Sequence, residues 1–168
     1  MQNLDRLLLA MIEHDKGHPN LIQHFIKVHE FARLIGFREK LDPQQLYTLE
    51  AAAIVHDVGI LPSLERYGDD AGYHQEELGP AQAEAMLQAL AFSKEVIERV
   101  SWLVGHHHTY TAIDGKDYQI LVEADFLVNL FENHAGPETV TRARKNIFVT
   151  KTGLALLDAQ FPTNPIKE

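Results

Sequence analysis

Apolar and polar residues alternate at helical spacing along almost the whole chain. Leu4, Leu7, Leu8 and Met11 share one face of an opening amphipathic helix. Asp5 and Arg6 precede its apolar stretch and no small-residue cleavage site follows, so this segment reads as a helix and not as a leader. Gly17-His18-Pro19-Asn20 is a turn. A second helix is expected over about 21–35, with Ile22, Phe25, Ile26, His29 and Ala32 on one face and Gly36 as its stop. On that register His24 falls off the stripe, toward solvent. Asp42-Pro43-Gln44-Gln45 spells a helix start: an Asp cap, Pro at the first position and Gln three residues after the cap. The third helix then carries Leu46, Leu49, Ala53 and His56 on one stripe.

From 59 to 80 the composition shifts to Gly, Pro, Asp and Tyr, which predicts a long loop with room for one helical turn. Loops of that length in compact domains tend to be functional. Further helices are expected over 81–90, 93–105, 118–132 and 138–150, with Gly153 breaking the last before a final apolar turn, LALLDAQF. Only IFVT favours a strand, and it is brief. The fold class predicted is all-α. Phe25, Phe31, Phe37, Trp102, Phe126 and Phe131 recur at helical spacing and read as core.

Composition narrows the chemistry. The 168 residues are expected to form one domain, and 45% hydrophobic with 23% charged residues is ordinary for a globular protein. No cysteine is present, which excludes disulfides, thiolate metal sites and cysteine nucleophiles; a cytoplasmic location is the expectation. No apolar run approaches the roughly 18 residues that would span a bilayer. A formal charge of −9 disfavours nucleic acid as a partner. Ten histidines are the outstanding feature.

Several of those histidines and two aspartates fall on faces predicted to point inward. In AAAIVHDVGI (51–60), His56 lies on the buried stripe and Asp57 follows at the helix C-terminus, where the macrodipole disfavours a carboxylate. A divalent cation would reverse that sign and give the imidazole a partner. His29 lies three residues after Ile26 and four after Phe25; Asp125 sits between Leu121 and Val128 in QILVEADFLVNLFE; His106 and His107 end VIERVSWLVGHHH, whose Val96, Val100 and Leu103 lead the buried face onto them. Charged residues in such stripes are almost never left unpaired. Four separate helices thus each offer an imidazole or carboxylate to the interior, which points to a metal.

The order His29, His56-Asp57, then a distant Asp125 resembles the signature of the HD-domain metal-dependent phosphohydrolase superfamily, with KVHEFARLIG, AAIVHDVGI and VEADFLVN as its local surroundings. The resemblance covers about 21–132 and implies an all-helical single HD domain over 1–168. It further implies a primary metal site of His29, His56, Asp57 and Asp125. Members with two metals read H…HD…H…H…D. By that similarity Asp57 bridges the ions, with His74 and His106, or His107, completing a second site. His108 reads as the exposed end of the run.

What the resemblance implies for function is hydrolysis of a nucleotide or other small phosphate ester. Imidazole and carboxylate donors suit Fe, Mn, Ni, Co or Zn, as one ion or two. Two ions about 3.5–4 Å apart clamp the attacking and leaving oxygens of an in-line displacement and lower the pKa of water toward about 7. Alternatives within the same resemblance are a mixed-valent di-iron oxygenase and a metal-stabilised nucleotide-binding module without catalysis. For substrate contacts the candidates are Lys27 and Arg33 beside His29, Arg66, Lys116 and the basic run 141–145, with Glu77 as a general acid or base. A homo-oligomer is compatible with the sequence.

Overall fold

The computed structural model describes residues 2–162. Among them every regular element is a helix: α1 (Gln2–His14), α2 (Pro19–Arg38), α3 (Pro43–Val55), α4 (Ile60–Tyr67), α5 (Gly72–Ala89), α6 (Lys94–Val104), α7 (Gly115–Glu132), α8 (Pro137–Asn146) and α9 (Lys151–Gln160). Helix starts follow local chemistry. Asp42 accepts from the Gln44 and Gln45 amides at 2.9 and 2.8 Å, and Gln45 returns a bond to the Asp42 amide at 3.3 Å. This reciprocal box satisfies donors that the first turn of α3 leaves orphaned. Ser93 and Thr150 cap α6 and α9.

The middle of the fold is α3, whose Leu49 and Ala51 through Val55 are fully buried. Its run of alanines lets α2, α6 and α7 approach closely, and α2 also lies against α7. One hydrophobic cluster takes in Leu4, Leu7 and Met11 of α1, the α3 alanines, Leu121 and Leu127 of α7 and Leu157 of α9.

The structure corrects the expected loop over 59–80. Most of it is α4 and the first half of α5. Its glycines serve close packing more than turning. A Cβ on Gly59 would stand 2.7 Å from the Gln75 carbonyl oxygen, and one on Gly79 would stand 2.7 Å from Val104 Cγ1. Of the glycines in this stretch only Gly68, with φ of 78°, ends a helix through left-handed backbone. Pro62 occupies the first turn of α4, where a missing N–H costs nothing, while Pro80 lies inside α5. At the other end α8 stops at Asn146 and a full helix, α9, replaces the expected apolar turn. Gly153 does not break a helix: it lies in the first turn of α9, and a Cβ there would be 2.0 Å from Glu123 Oε2. Phe37 and Phe131, expected in the core, are 66% and 59% exposed.

Candidate metal centre

His24 comes from α2, Asp125 from α7, and His56 caps the C-terminus of α3 with Asp57 next along the chain. Because α2 and α7 both lie on α3, these four side chains meet in one place. His24 Nε2 lies 3.1 Å from Asp125 Oδ1 and 3.3 Å from Asp57 Oδ2. His56 Nε2 is 3.3 Å from the same Asp57 oxygen and 3.6 Å from Asp125 Oδ1. The two Nε2 atoms are themselves only 3.3 Å apart. His24, His56 and Asp125 are all buried.

Each imidazole has its other nitrogen committed. His56 Nδ1 bonds the Ala53 carbonyl at 2.9 Å, a free acceptor at the end of α3. His24 Nδ1 bonds Glu132 Oε2 at 2.8 Å. If each Nδ1–H donates there, each Nε2 carries a lone pair, and two lone pairs plus two carboxylates converge on one point. Only positive charge resolves such a meeting. Protons supply part of it. Burial pulls both rings down, but Asp125 and Asp57 override it, raising His24 above the ordinary imidazole value and His56 well above it. Burial likewise raises the two carboxyls, yet His56 and His107 hold Asp57, and His24 and His56 hold Asp125, well below the usual range. The donor set can hold a divalent metal: His24, His56 and Asp57 offer ligand atoms within 4.8 Å of one another.

A second group forms on the other oxygen of Asp57. Asp57 Oδ1 is 3.3 Å from His107 Nε2. That nitrogen is buried and lacks any hydrogen-bond partner, while His107 Nδ1 bonds the Val104 carbonyl at 2.8 Å at the end of α6. Asp57, His107 and His108 also present ligand atoms within 4.8 Å of one another. Burial, then the neighbouring His107, push the His108 ring down to about 4, so it is neutral at pH 7 as a ligand must be. Gly72 leaves the space its ring fills, and Gln75 Oε1 lies 3.3 Å from His108 Nε2. A cavity of about 220 Å³ opens onto His24, Asp57, Asp125, His108, Gln75 and Asp70.

A model of the HD domain family matches residues 21–143. The chain belongs to the HD domain family. Among solved structures it is similar to a predicted HD superfamily hydrolase from an uncultured Thermotogales bacterium, at 26% identity over 94% of this chain and 84% of that one, with a TM-score of 0.67. No curated protein matches it in sequence.

Within this HD domain the side chains of His56, Asp57, Asp125 and His107 gather as the sequence suggests, but several other candidates stand elsewhere. His29 is not in the cluster: its Nε2 faces Glu50 Oε2 at 3.7 Å on another side of α2. Its place is taken by His24. His74 stacks on Tyr67 at 3.8 Å and bonds Asp69 at 2.7 Å; the neighbouring Gln75 is the side chain of that turn that enters the cavity. His106 bonds the Trp102 carbonyl and stacks on that indole at 4.1 Å, whereas His108, expected at the surface, stands beside Asp57. Glu77 is exposed and bonds the Tyr67 hydroxyl, so it is not placed for acid–base work at the cavity. Arg33 pairs with Glu30 in solvent, Lys116 reaches the Glu39 carbonyl, and Lys27 pairs with Glu132.

A missed signal was legible in α2. Buried residues there are His24, Phe25, Val28, Ala32, Ile35 and Gly36. His24, Val28 and Ala32 lie four apart; a stripe drawn through Val28 and Ile35 faces His24 inward and turns His29 away by about 140°, at about 100° per residue. No described helix is long and apolar enough to cross a membrane.

Proposed function

We propose that this HD domain, taken as one unit over 1–168, is a metal-dependent hydrolase of small phosphate esters, nucleotides among them. The observation that carries this reading is Asp57: one carboxylate oxygen faces His24 and His56, the other faces His107. A first ion would be held by His24, His56, Asp57 and Asp125, and a second by Asp57, His107 and His108. When bound, such ions act as Lewis acids on a phosphoryl oxygen and make water acidic enough to supply a nucleophile at neutral pH. The chain's own contribution is to fix the donors. The Ala53 and Val104 carbonyls and the Glu132 carboxylate hold three rings with Nε2 inward. Asn129 donates at 2.8 Å to Asp125 Oδ1, the same oxygen that faces His24 and His56, and so fixes how that carboxylate is turned. Positive charge gathered here also answers the chain's −9, which would otherwise repel a phosphate.

The test is metal content of protein purified without chelator, followed by phosphate release from a panel including p-nitrophenyl phosphate, AMP and ATP. At least one transition metal per chain and release from a monoester are expected. Asp57→Ala should abolish both, since it removes the donor shared by the two groups. Wild-type activity in that variant, or a wild type that takes up no Mn, Fe, Co, Ni or Zn, would refute the reading. Oxygen consumption without phosphate release would hand the site to oxidative chemistry.

A further inference from the structure

Glu132 ends α7 two turns beyond Asp125, and its two oxygens are engaged in different directions. Oε2 accepts from His24 Nδ1 at 2.8 Å, and Oε1 accepts from the Lys27 ammonium at 2.5 Å. Lys27 also lies over the Phe131 ring, 5.6 Å from its centroid. His24 and Lys27 are three residues apart on α2, so they share a face of that helix.

The three inward-facing histidines solve the same problem in two ways. A neutral imidazole has one hydrogen and one lone pair, and only a fixed acceptor at Nδ1 keeps the lone pair on Nε2. His56 and His107 follow helix ends and use carbonyls three residues back that the helix leaves free. His24 is inside α2, where nearby carbonyls serve the helix's own bonds. It needs a side-chain acceptor from another element, and Glu132 is that acceptor.

We infer that Glu132 is a positioning residue, holding His24 in the tautomer that presents Nε2 to Asp57 and Asp125, and that Lys27 is its buttress and not a substrate cation. The role rests on the reading that His24 holds a metal. It makes the packing of α2 against α7 part of the metal centre, because a slide between them would separate His24 from both Glu132 and Asp125.

The experiment uses Mn²⁺ and Zn²⁺ alone, titrated calorimetrically into apoprotein, with thermal unfolding as a check on folding. Glu132→Ala should weaken binding by about 10–100-fold, the usual cost of losing such an outer partner. Glu132→Gln keeps an acceptor oxygen and should restore most of the loss; Lys27→Met should lose less than Glu132→Ala. Nitrogen NMR of the His24 ring, at a pH where it is neutral, should show the Nδ1–H tautomer in the wild type and a mixture in Glu132→Ala. Wild-type affinity in a folded Glu132→Ala, or a Glu132→Gln no better than it, would overturn the inference. A wild type that binds neither ion would defeat the metal reading instead, while the ring tautomer would still decide what Glu132 does.

Discussion

Glu123 and Asp125 are neighbours on α7, both buried, yet their surroundings differ in kind. Glu123 accepts from the Val149 and Thr150 amides at 2.7 and 2.8 Å, from Gln119 at 2.9 Å and from the Thr150 hydroxyl at 2.5 Å. Gly153 omits a side chain to make room for it. Protein donors satisfy it, and it fastens α7 to the start of α9. Asp125 receives one amide bond from Asn129 and otherwise faces His24 and His56 through nitrogens whose partners are already bound elsewhere. A buried charge therefore does not by itself mark a reactive site. What marks one is a shortage of hydrogens to donate to it.

Between these two carboxylates the larger effect on activity is expected at Asp125. Asp125→Asn should lower phosphate release by about 10³-fold or more, corresponding to the several kcal/mol that a Lewis acid supplies. Metal uptake should fall with it. In the wild type, uptake must displace protons from His24 and His56, whose values are raised, so affinity should climb with pH through and above the ordinary histidine range. Calorimetry in buffers of different ionisation enthalpy reads the released protons. Uptake without proton release would break the contrast with Glu123.

Glu123→Ala should act on the fold and not on the metal. It orphans two backbone donors at about 1–3 kcal/mol each, on the order of 3 kcal/mol in all. For a chain of this length that lowers Tm by roughly 6–12 °C. Metal affinity of the folded fraction should match the wild type. A normal Tm with lost metal would reverse the roles assigned to the two carboxylates.

A smaller and more selective comparison sets His24 against His29. His24→Ala should weaken metal binding by about tenfold or more, judging from what even an outer-partner loss costs, and His29→Ala should leave it unchanged. The pair also shows what the sequence could and could not say. The all-α class and the α3 start follow from spacing and capping, and periodicity turns His56 and Asp125 inward because it reports which residues share a face; that they meet with Asp57 is what the family resemblance implies. His24 escapes a single-stripe pattern because α2 has apolar residues on two faces, Ile22 and Ile26 half-buried beside the fully packed Val28 and Ile35. A helix with a half-buried apolar face beside its packed one has no single stripe. Over 59–80 glycine and proline carry a loop signal, and only tertiary contacts, Gly59 on Gln75 and Gly79 on Val104, reveal that they permit close helix packing. That His107 and His108 turn inward and His106 does not depends on how α6 ends: Val104 offers its carbonyl to His107, and Trp102 takes His106.

The smallest effect is at Glu39, a carboxylate that repeats the Glu123 solution nearer the surface. It accepts from the Thr152 amide at 2.8 Å and its hydroxyl at 2.6 Å. The Thr152 hydroxyl bond holds its carboxyl below the ordinary value of 4.5. With the folded value lower than the unfolded one, the unfolded chain binds more protons as the solution acidifies. The stabilisation is therefore fully present above about pH 5 and lost as pH falls through 4.5 and below. Urea unfolding of wild type and Glu39→Gln should show a gap that is constant near neutrality and closes in acid. A gap that widens on acidification would mean that Glu39 is not fastened to α9 through its ionised form, and the parallel with Glu123 would be lost.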